Sequence, residues 1–389
     1  MRILLVNYMD TLMPGGINTV VRELAKHLAK KGHYVVVFNP SWSGRKQCYR
    51  EFGNLTIIRG HNFNRALYGL NIRNFMYILK LMKRFRPDII HLHGFHNLFI
   101  PLTIILIKLF YPSKLVVFSP HYAPGGHASS LSSKVFKLYS ITVGKILYKL
   151  IDAMVCSSLF ELKSFVNIVG LNSTEKLSLI PHGVSYEPSL CRQYITPSVK
   201  KIVEDNASES YQRVLKLLYV GYLLEYKGVQ DVIKALARLN REFGIGATLT
   251  VIGEGPYKPA LIKLAKQLGV IDSVIWKPFV KREELIKNYC QTDVFVFLSR
   301  GEMFGLVAYE ALALSKPVIV AKKAALIECC YKYANCICVE SAEELAEKII
   351  ELLNRLHTST NLKSPPSWSE IVTKYLELYS QIRNVRGDV

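Results

Sequence analysis

The chain has 389 residues, half of them hydrophobic, with 50 Lys and Arg set against 30 Asp and Glu. At roughly 100–200 residues per domain this suits two domains with ample cores, and the composition excludes a disordered or fibrous chain. No apolar run reaches the roughly 18–20 residues that cross a bilayer, and the strand-like start Met1–Val6 is too short for a signal peptide, so a cytoplasmic protein is expected.

The net charge of +20 is uneven. Residues 1–200 carry 25 basic and 8 acidic side chains, a balance of +17, whereas residues 201–389 carry 25 and 22, a balance of +3. The first half is therefore expected to meet something anionic: acidic membrane lipid, a lipid-linked phosphate acceptor or nucleic acid. The eight cysteines include no C-x-x-C pair, and the cluster Cys329, Cys330, Cys336 and Cys338 lacks zinc-ribbon spacing. Buried small hydrophobes are favoured over metal or redox use.

Arg2–Asn7 reads as a first buried strand. Met13-Pro14-Gly15-Gly16 is a turn, Asn18 is placed to cap a helix over 19–31, and Tyr34–Phe38 is the next strand. Strand, glycine turn, helix, strand is a Rossmann-like opening, although the G-x-G-x-x-G dinucleotide fingerprint is absent. The pair Gly15-Gly16 either lets backbone N–H groups approach a ligand or is a plain tight turn. A helix over 71–85 leads to Ile89–His93, whose two histidines read as strand-end core residues rather than metal ligands. After an apolar helix over 97–111, the strand Leu115–Phe118 ends close to His121. An imidazole at a strand's carboxyl end can orient a hydroxyl; a loop histidine without chemistry fits the spacing equally well. A helix over 133–150 carries Lys134, Lys137, Lys145 and Lys149 near one stripe, with Val135, Leu138, Ile141, Ile146 and Leu150 on other faces. Residues 186–213 are polar and irregular and read as a linker.

The second half opens with the strand Leu215–Val220, the run Gly221–Gly228 and a helix over 229–242. Lys227, at the start of that helix, suits a diphosphate or is simply solvated. Thr248–Ile252 runs into Gly253-Glu254-Gly255-Pro256, and Val274–Trp276 into Pro278-Phe279-Val280. The most informative stretch is 293–321. Val294–Leu298 reads as a strand buried on both faces, Ser299–Glu302 as a loop, Gly305–Leu314 as a helix stopped before Pro317, and Val318–Val320 as a strand. Ligands of open α/β sheets bind where such a loop sits. Phe304-Gly305-Leu306 brings free backbone N–H groups to a helix N-terminus, a seat for phosphate or a sugar hydroxyl. A carboxylate accepts paired hydrogen bonds from a diol, so Glu310 suits a ribose and Glu302 a hexose ring. A plainer reading has Glu302 capping the helix dipole and Glu310 solvated.

Glu302, seven intervening residues and Glu310, with Phe304-Gly305-Leu306-Val307, Ala311 and Pro317-Val318, resembles the signature of retaining glycosyltransferase family four. The run Asp88–His93, His121 at its strand end, Gly221 with Leu223 and Lys227-Gly228, and Gly253-Glu254-Gly255-Pro256 resemble the same family in the same order. The resemblance implies an α/β protein of the GT-B architecture, two Rossmann-like, doubly wound domains facing across a cleft. The acceptor-side domain would span 1–185, the linker 186–213 and the nucleotide-sugar domain 214–367, with a last helix, 368–389, crossing back onto the first domain. It implies a UDP- or GDP-hexose donor, with Glu310 on the ribose, Lys227 on the diphosphate, Gly253, Glu254 and Val280 lining the nucleotide, and Glu302 with the Phe304, Gly305, Leu306 and Val307 backbone on the sugar. Gly15, Gly16 and His121 would face donor and acceptor from the first domain. No cofactor and no metal is expected, since the nucleotide sugar is a co-substrate and Lys227 with helix dipoles takes the diphosphate charge. The expected partners are a glycan or lipid-linked acceptor and an anionic membrane face met by the basic first half, with no nucleic acid.

Departures from the family pattern are Tyr222 where an arginine is usual, Ser315 for a glycine, Ala324-Ala325 for a glycine pair, and His182 and Ser185 for Asn and Asp. They keep open a catalytically silent subunit of the same architecture. A non-hydrolysing nucleotide-sugar epimerase shares the architecture but lacks the paired glutamates. A basic nucleic-acid-binding protein would account for the charge alone.

Overall fold

Uninterrupted runs of Val, Ile and Leu, buried on both faces, build two sheets. The computed structural model describes residues 1–11, 13–41, 47–62, 70–124, 130–194, 214–356 and 363–385. The chain divides into two compact units, one of residues 1–183 with 366–389 and one of residues 184–365. Each is a mainly parallel sheet whose strands are joined through helices, the layout such apolar strands require, because both sheet faces must be covered.

The first unit runs β1 (Arg2–Asn7), α1 (Gly16–Lys30), β2 (Tyr34–Ser41), β3 (Gln47–Phe52), β4 (Leu55–Asn62), α2 (Ile72–Phe85), β5 (Ile89–His93), α3 (Phe99–Phe110), β6 (Leu115–Ser119), α4 (Ser130–Leu150), β7 (Ala153–Cys156), α5 (Leu159–Val169) and β8 (Leu177–Leu179). The strand order is β3-β4-β2-β1-β5-β6-β7-β8, with β3 antiparallel to β4 and the other pairings parallel. The order reverses between β1 and β5, where Asn7 pairs with His93 and His93 in turn with Ser119. Ligands of open sheets sit at such a reversal. A C-terminal helix, Trp368–Val385, belongs to this unit; its Tyr379 hydroxyl lies 2.8 Å from His91 Nδ1.

The second unit runs β9 (Leu215–Val220), α6 (Val229–Arg241), β10 (Ala247–Ile252), α7 (Lys258–Gln267), β11 (Val274–Lys277), α8 (Arg282–Gln291), β12 (Val294–Phe297), α9 (Leu306–Ala313), β13 (Val318–Ala321), α10 (Ile327–Lys332), β14 (Cys336–Val339) and α11 (Leu345–Leu356). Its order, β11-β10-β9-β12-β13-β14, is parallel throughout and reverses between β9 and β12.

Three points of the sequence reading need correction. Asn18 does not cap α1. The helix begins at Gly16, and the buried Asn18 side chain accepts from Asn7 Nδ2 at 3.0 Å and donates to the Met13 carbonyl at 2.9 Å. The β3–β4 hairpin was not expected; its signal is the Gly53-Asn54 turn ahead of an apolar run. Of the linker, residues 195–213 lie outside the described residues, and Pro188–Cys191 form a short 3-10 turn. Not all cysteines are plain core residues: Cys191 is bonded to Cys290 and Cys330 to Cys338, while Cys48, Cys156, Cys329 and Cys336 are free.

Helix α4 also differs from its expected face pattern. Val135, Leu138 and Ile146 lie exposed among the exposed lysines Lys134, Lys137, Lys145 and Lys149, instead of on separate faces. Leu147 is fully buried, and Phe136, Tyr139, Val143 and Leu150 pack against the core beside it. Among the described residues no helix is long and apolar enough to cross a membrane.

Candidate active site

At the sheet reversal of the second unit the loops after β9 and β12 meet. The first ends in a short 3-10 turn, Glu225–Lys227, that feeds α6. Lys227 Nζ forms an ion pair and hydrogen bond with the Glu302 carboxylate, which stands in the loop after β12. Both side chains are largely buried, 16% and 13% exposed. The ammonium also lies 5.0 Å from the Tyr226 ring centre and 5.7 Å from that of Phe297. Burial lowers the Lys227 pKa, but the charges and hydrogen bonds of Glu302 and Tyr226 outweigh it, and the group sits above its ordinary value, firmly cationic.

Backbone hydrogen bonds fix this loop on both sides. Arg300 N–H donates to the Tyr226 carbonyl at 2.8 Å, and Ala325 N–H, beyond β13, donates to the Glu302 carbonyl at 3.1 Å. Gly305 caps α9 with φ 85°, and a Cβ there would stand 2.4 Å from Leu326 Cδ2. Only glycine meets both demands, and it leaves the first-turn N–H groups of α9 next to Glu302. Phe304 is buried and stacks on Tyr309 at 4.2 Å; Leu306 and Val307 are half-buried.

Glu310 lies in the second turn of α9. It is half-buried rather than freely solvated, and its Oε2 accepts from the Tyr289 hydroxyl at 3.1 Å. Tyr289 is fully buried on α8; burial and the Glu310 charge push its hydroxyl well above the ordinary tyrosine value. The tyrosine is thus a neutral donor that orients the carboxylate, a partner that spacing within the motif could not reveal.

The loops after β9, β10 and β11 are laced together. Gly221 N–H donates to Ile252 O, Gly253 N–H to Lys277 O, and Leu223 N–H to Glu254 O, each at 3.0 Å. A Cβ on Gly253 would stand 1.9 Å from the Gly221 carbonyl, so only glycine permits this approach. Glu254 contributes backbone here, since its carboxylate turns to Lys258 Nζ at 3.0 Å and is 46% exposed. Val280 packs against the core of the unit. Tyr222, standing where the family has an arginine, sets its ring against Phe279 at 5.0 Å. Ser315 and Ala324, both in glycine positions of the family, have φ of 58° and 53°, the left-handed region that L side chains avoid.

In the first unit, Gly15 and Gly16 open α1 after β1. His121 follows β6 with φ 48°, buried to 4% exposure. Its Nε2 lies 3.2 Å from His93 Nδ1, and its ring 5.7 Å from that of His182. His91 meets Ser119 Oγ at 2.9 Å. Burial, with the neighbouring imidazoles adding repulsion, pulls His91 down to about 3 and His121 to about 4, and His93 and His182 well below the ordinary value. These rings are neutral at neutral pH. Among the described residues no group of three or more His, Cys, Asp or Glu is placed to hold a metal ion.

The pattern of this chain matches two family models. Residues 14–187 match the one described as Glycosyltransferase Family 4, and residues 200–364 the one described as Glycosyl transferases group 1. The chain is a family 4, group 1 glycosyltransferase. Such a glycosyltransferase transfers a sugar from a nucleotide-sugar. A relative from Klebsiella pneumoniae, described as an uncharacterized 41.2 kDa protein in the cps region, is 26% identical over 318 residues, 81% of this chain and 80% of its own. The alpha-monoglucosyldiacylglycerol synthase of Acholeplasma laidlawii is 24% identical over 375 residues, 93% of this chain and 92% of its own. Among solved structures, the sucrose-phosphate synthase of Thermosynechococcus elongatus superposes with a TM-score of 0.79 at 18% identity, covering 99% of both chains. The glycosyltransferase has the GT-B fold, each of its units Rossmann-like.

Proposed function

We propose that this glycosyltransferase is a retaining, metal-independent hexosyltransferase that moves a hexose from a UDP- or GDP-sugar to a glycan or lipid-linked acceptor in the synthesis of cell-surface polysaccharide or glycolipid. The observation that carries the reading is the Lys227–Glu302 pair at the β9/β12 reversal, beside the N-termini of α6 and α9. Lys227 and the first-turn N–H groups of α6 take the diphosphate charge, which suits chemistry in which leaving-group charge must be stabilised. Glu302 and the Phe304–Val307 backbone bind the hexose, and Glu310, oriented by Tyr289, takes the ribose diol. The glycine-lined loops at Gly253, Glu254 and Val280 line the nucleotide. His121 is the first unit's contact to the transferring sugar, and Gly15-Gly16 its backbone contact.

The Acholeplasma relative's name supports a lipid acceptor, and the Klebsiella relative's cps region supports a surface polysaccharide. Exposed Val135, Leu138 and Ile146 among the lysines of α4 support docking on an anionic membrane face. The test is release of UDP or GDP from a panel of nucleotide sugars in EDTA, followed by NMR of the product's anomeric centre. Transfer with retention from one base series is expected. Inversion, or a strict requirement for added metal, would overturn the reading.

A further inference from the structure

Glu161 is a deeply buried carboxylate of the first unit that the reading above leaves unused, at 1% exposure. It stands in the first turn of α5, where Ser158 caps the helix by accepting from Glu161 N–H at 3.0 Å. Its Oε2 accepts from the Ser157 N–H and hydroxyl, both at 2.7 Å, and Oε1 reaches the neighbouring loop to accept from Tyr122 N–H at 2.9 Å. That Tyr122 N–H belongs to the peptide that follows His121, where the backbone turns left-handed. A non-glycine residue keeps that backbone only where its surroundings over-determine it.

We propose that Glu161 is the positioning residue of His121. It holds the His121–Tyr122 peptide group at the strained turn, and His93 then fixes the ring. The inference rests on the reading of His121 as a sugar contact. His93 is fully buried, and its Nε2 has no partner among the described residues. A buried acceptor left unpaired is tolerated better than a buried N–H. His93 therefore carries its proton on Nδ1 and donates to His121 Nε2, which leaves the His121 proton on Nδ1. The ring is thus a hydrogen-bond donor to a sugar oxygen rather than a proton acceptor. An anionic carboxylate suits the task because it accepts from the Ser157 N–H, the Ser157 hydroxyl and the Tyr122 N–H at once, which a glutamine cannot do without turning its own N–H groups on one of them.

The test compares H121A, E161Q, E161D and the double variant E161Q/H121A in the full chain, reading kcat and donor KM for the nucleotide sugar that the donor panel selects. H121A and E161Q are each expected to lower kcat on the order of 100-fold, the scale of a misplaced group, with donor KM within about twofold. E161D, short by one methylene, is expected to fall between E161Q and the parent. The double variant is expected to be no slower than H121A. A slow H121A beside an unaffected E161Q, or a double variant slower by the product of both losses, would overturn the role of Glu161. An unaffected H121A would instead overturn the sugar-contact reading itself. Should E161Q not fold, 15N NMR of the parent's histidines decides: protons on Nδ1 of both His93 and His121 support the arrangement, and a proton on His121 Nε2 overturns it.

Discussion

Lys227 and Glu302, 75 residues apart in the chain, neutralise each other at the carboxyl edge of the second sheet. Each is the other's partner in the same pocket of charge that a diphosphate and a sugar would enter. A diphosphate at the α6 N-terminus must therefore compete with Glu302 for the ammonium. Removing that competitor should tighten binding of the nucleotide alone while harming transfer. For Glu302→Gln we expect UDP or GDP to bind roughly three- to tenfold more tightly, about 0.7–1.4 kcal/mol, with transfer largely lost. Lys227→Ala should weaken the same nucleotide by about 1.5–3 kcal/mol. Calorimetry on both variants checks this; weaker nucleotide binding by Glu302→Gln would sink it.

The Tyr289–Glu310 contact gives a graded pair. Glu310→Gln replaces a charge-assisted bond pair by a mixed donor and acceptor and should weaken donor binding by about 1.5–3 kcal/mol. Tyr289→Phe only frees the carboxylate to rotate and should cost about 0.5–1.5 kcal/mol. Equal losses from both, measured as donor Kd, would mean that Tyr289 acts through the core and not through Glu310.

Much of this was legible in the sequence, and the misses share a cause. β1 was read to the residue, and β12 and α9 nearly so, because buried parallel strands and an Ala- and Leu-rich helix carry their own signals. β3 escaped because its exposed residues alternate with nothing apolar enough to mark a face. Asn18 was misplaced because a cap was sought from residue type, whereas the buried Asn7 amide needed an acceptor and took it. Glu161 drew no reading from the sequence; its partner Tyr122 comes from another loop, and Tyr289 reaches Glu310 from α8. Residue types at a site can be read along the chain, but the pairings between loops belong to the tertiary structure.

Ser315 and Ala324 keep side chains at left-handed backbone positions. The strain of an L residue there is roughly 1–2 kcal/mol, partly offset because glycine has more freedom to lose on folding. Ser315→Gly and Ala324→Gly should each stabilise the second unit by about 0.5–1 kcal/mol. Urea midpoints at unchanged slope measure this, and a fall in midpoint for both would refute it.

The four buried histidines make the first unit sensitive to mild acid. Their folded values lie below the unfolded value of about 6.5, with His121 near 4 and His91 near 3. Between those limits the unfolded chain binds more protons, so stability is complete above the unfolded value and is lost as pH falls below it. Each unit of separation is worth about 1.4 kcal/mol. Melting should be flat from pH 8 to 7 and drop steeply between pH 6 and 4, with proton uptake on unfolding. A flat profile across that range would show that the rings are not held neutral.

Docking through α4 predicts sedimentation with anionic vesicles that fades with salt. Each lysine near the surface contributes about 1 kcal/mol, so Lys145→Glu with Lys149→Glu should cut binding on the order of tenfold or more. Leu138→Ser with Ile146→Ser should weaken binding even at low salt, through the exposed apolar side chains. Binding indifferent to lipid charge and salt would leave a soluble acceptor as the better reading.

The borders of the two sheets decide how the protein behaves when concentrated. In the first unit one border is β3, antiparallel and exposing Gln47, Arg50 and Glu51, and the other is β8, only three residues long. The borders of the second sheet, β11 and β14, have four residues each. Short or charged borders are poor templates for another chain's backbone, so stacking of molecules edge to edge is discouraged. The border strand β3 carries something else, however: Cys48, the exposed free cysteine among those described. Slow dimers on storage would then be covalent, joined sulfur to sulfur along that rim, and reversed by a reductant rather than by a denaturant.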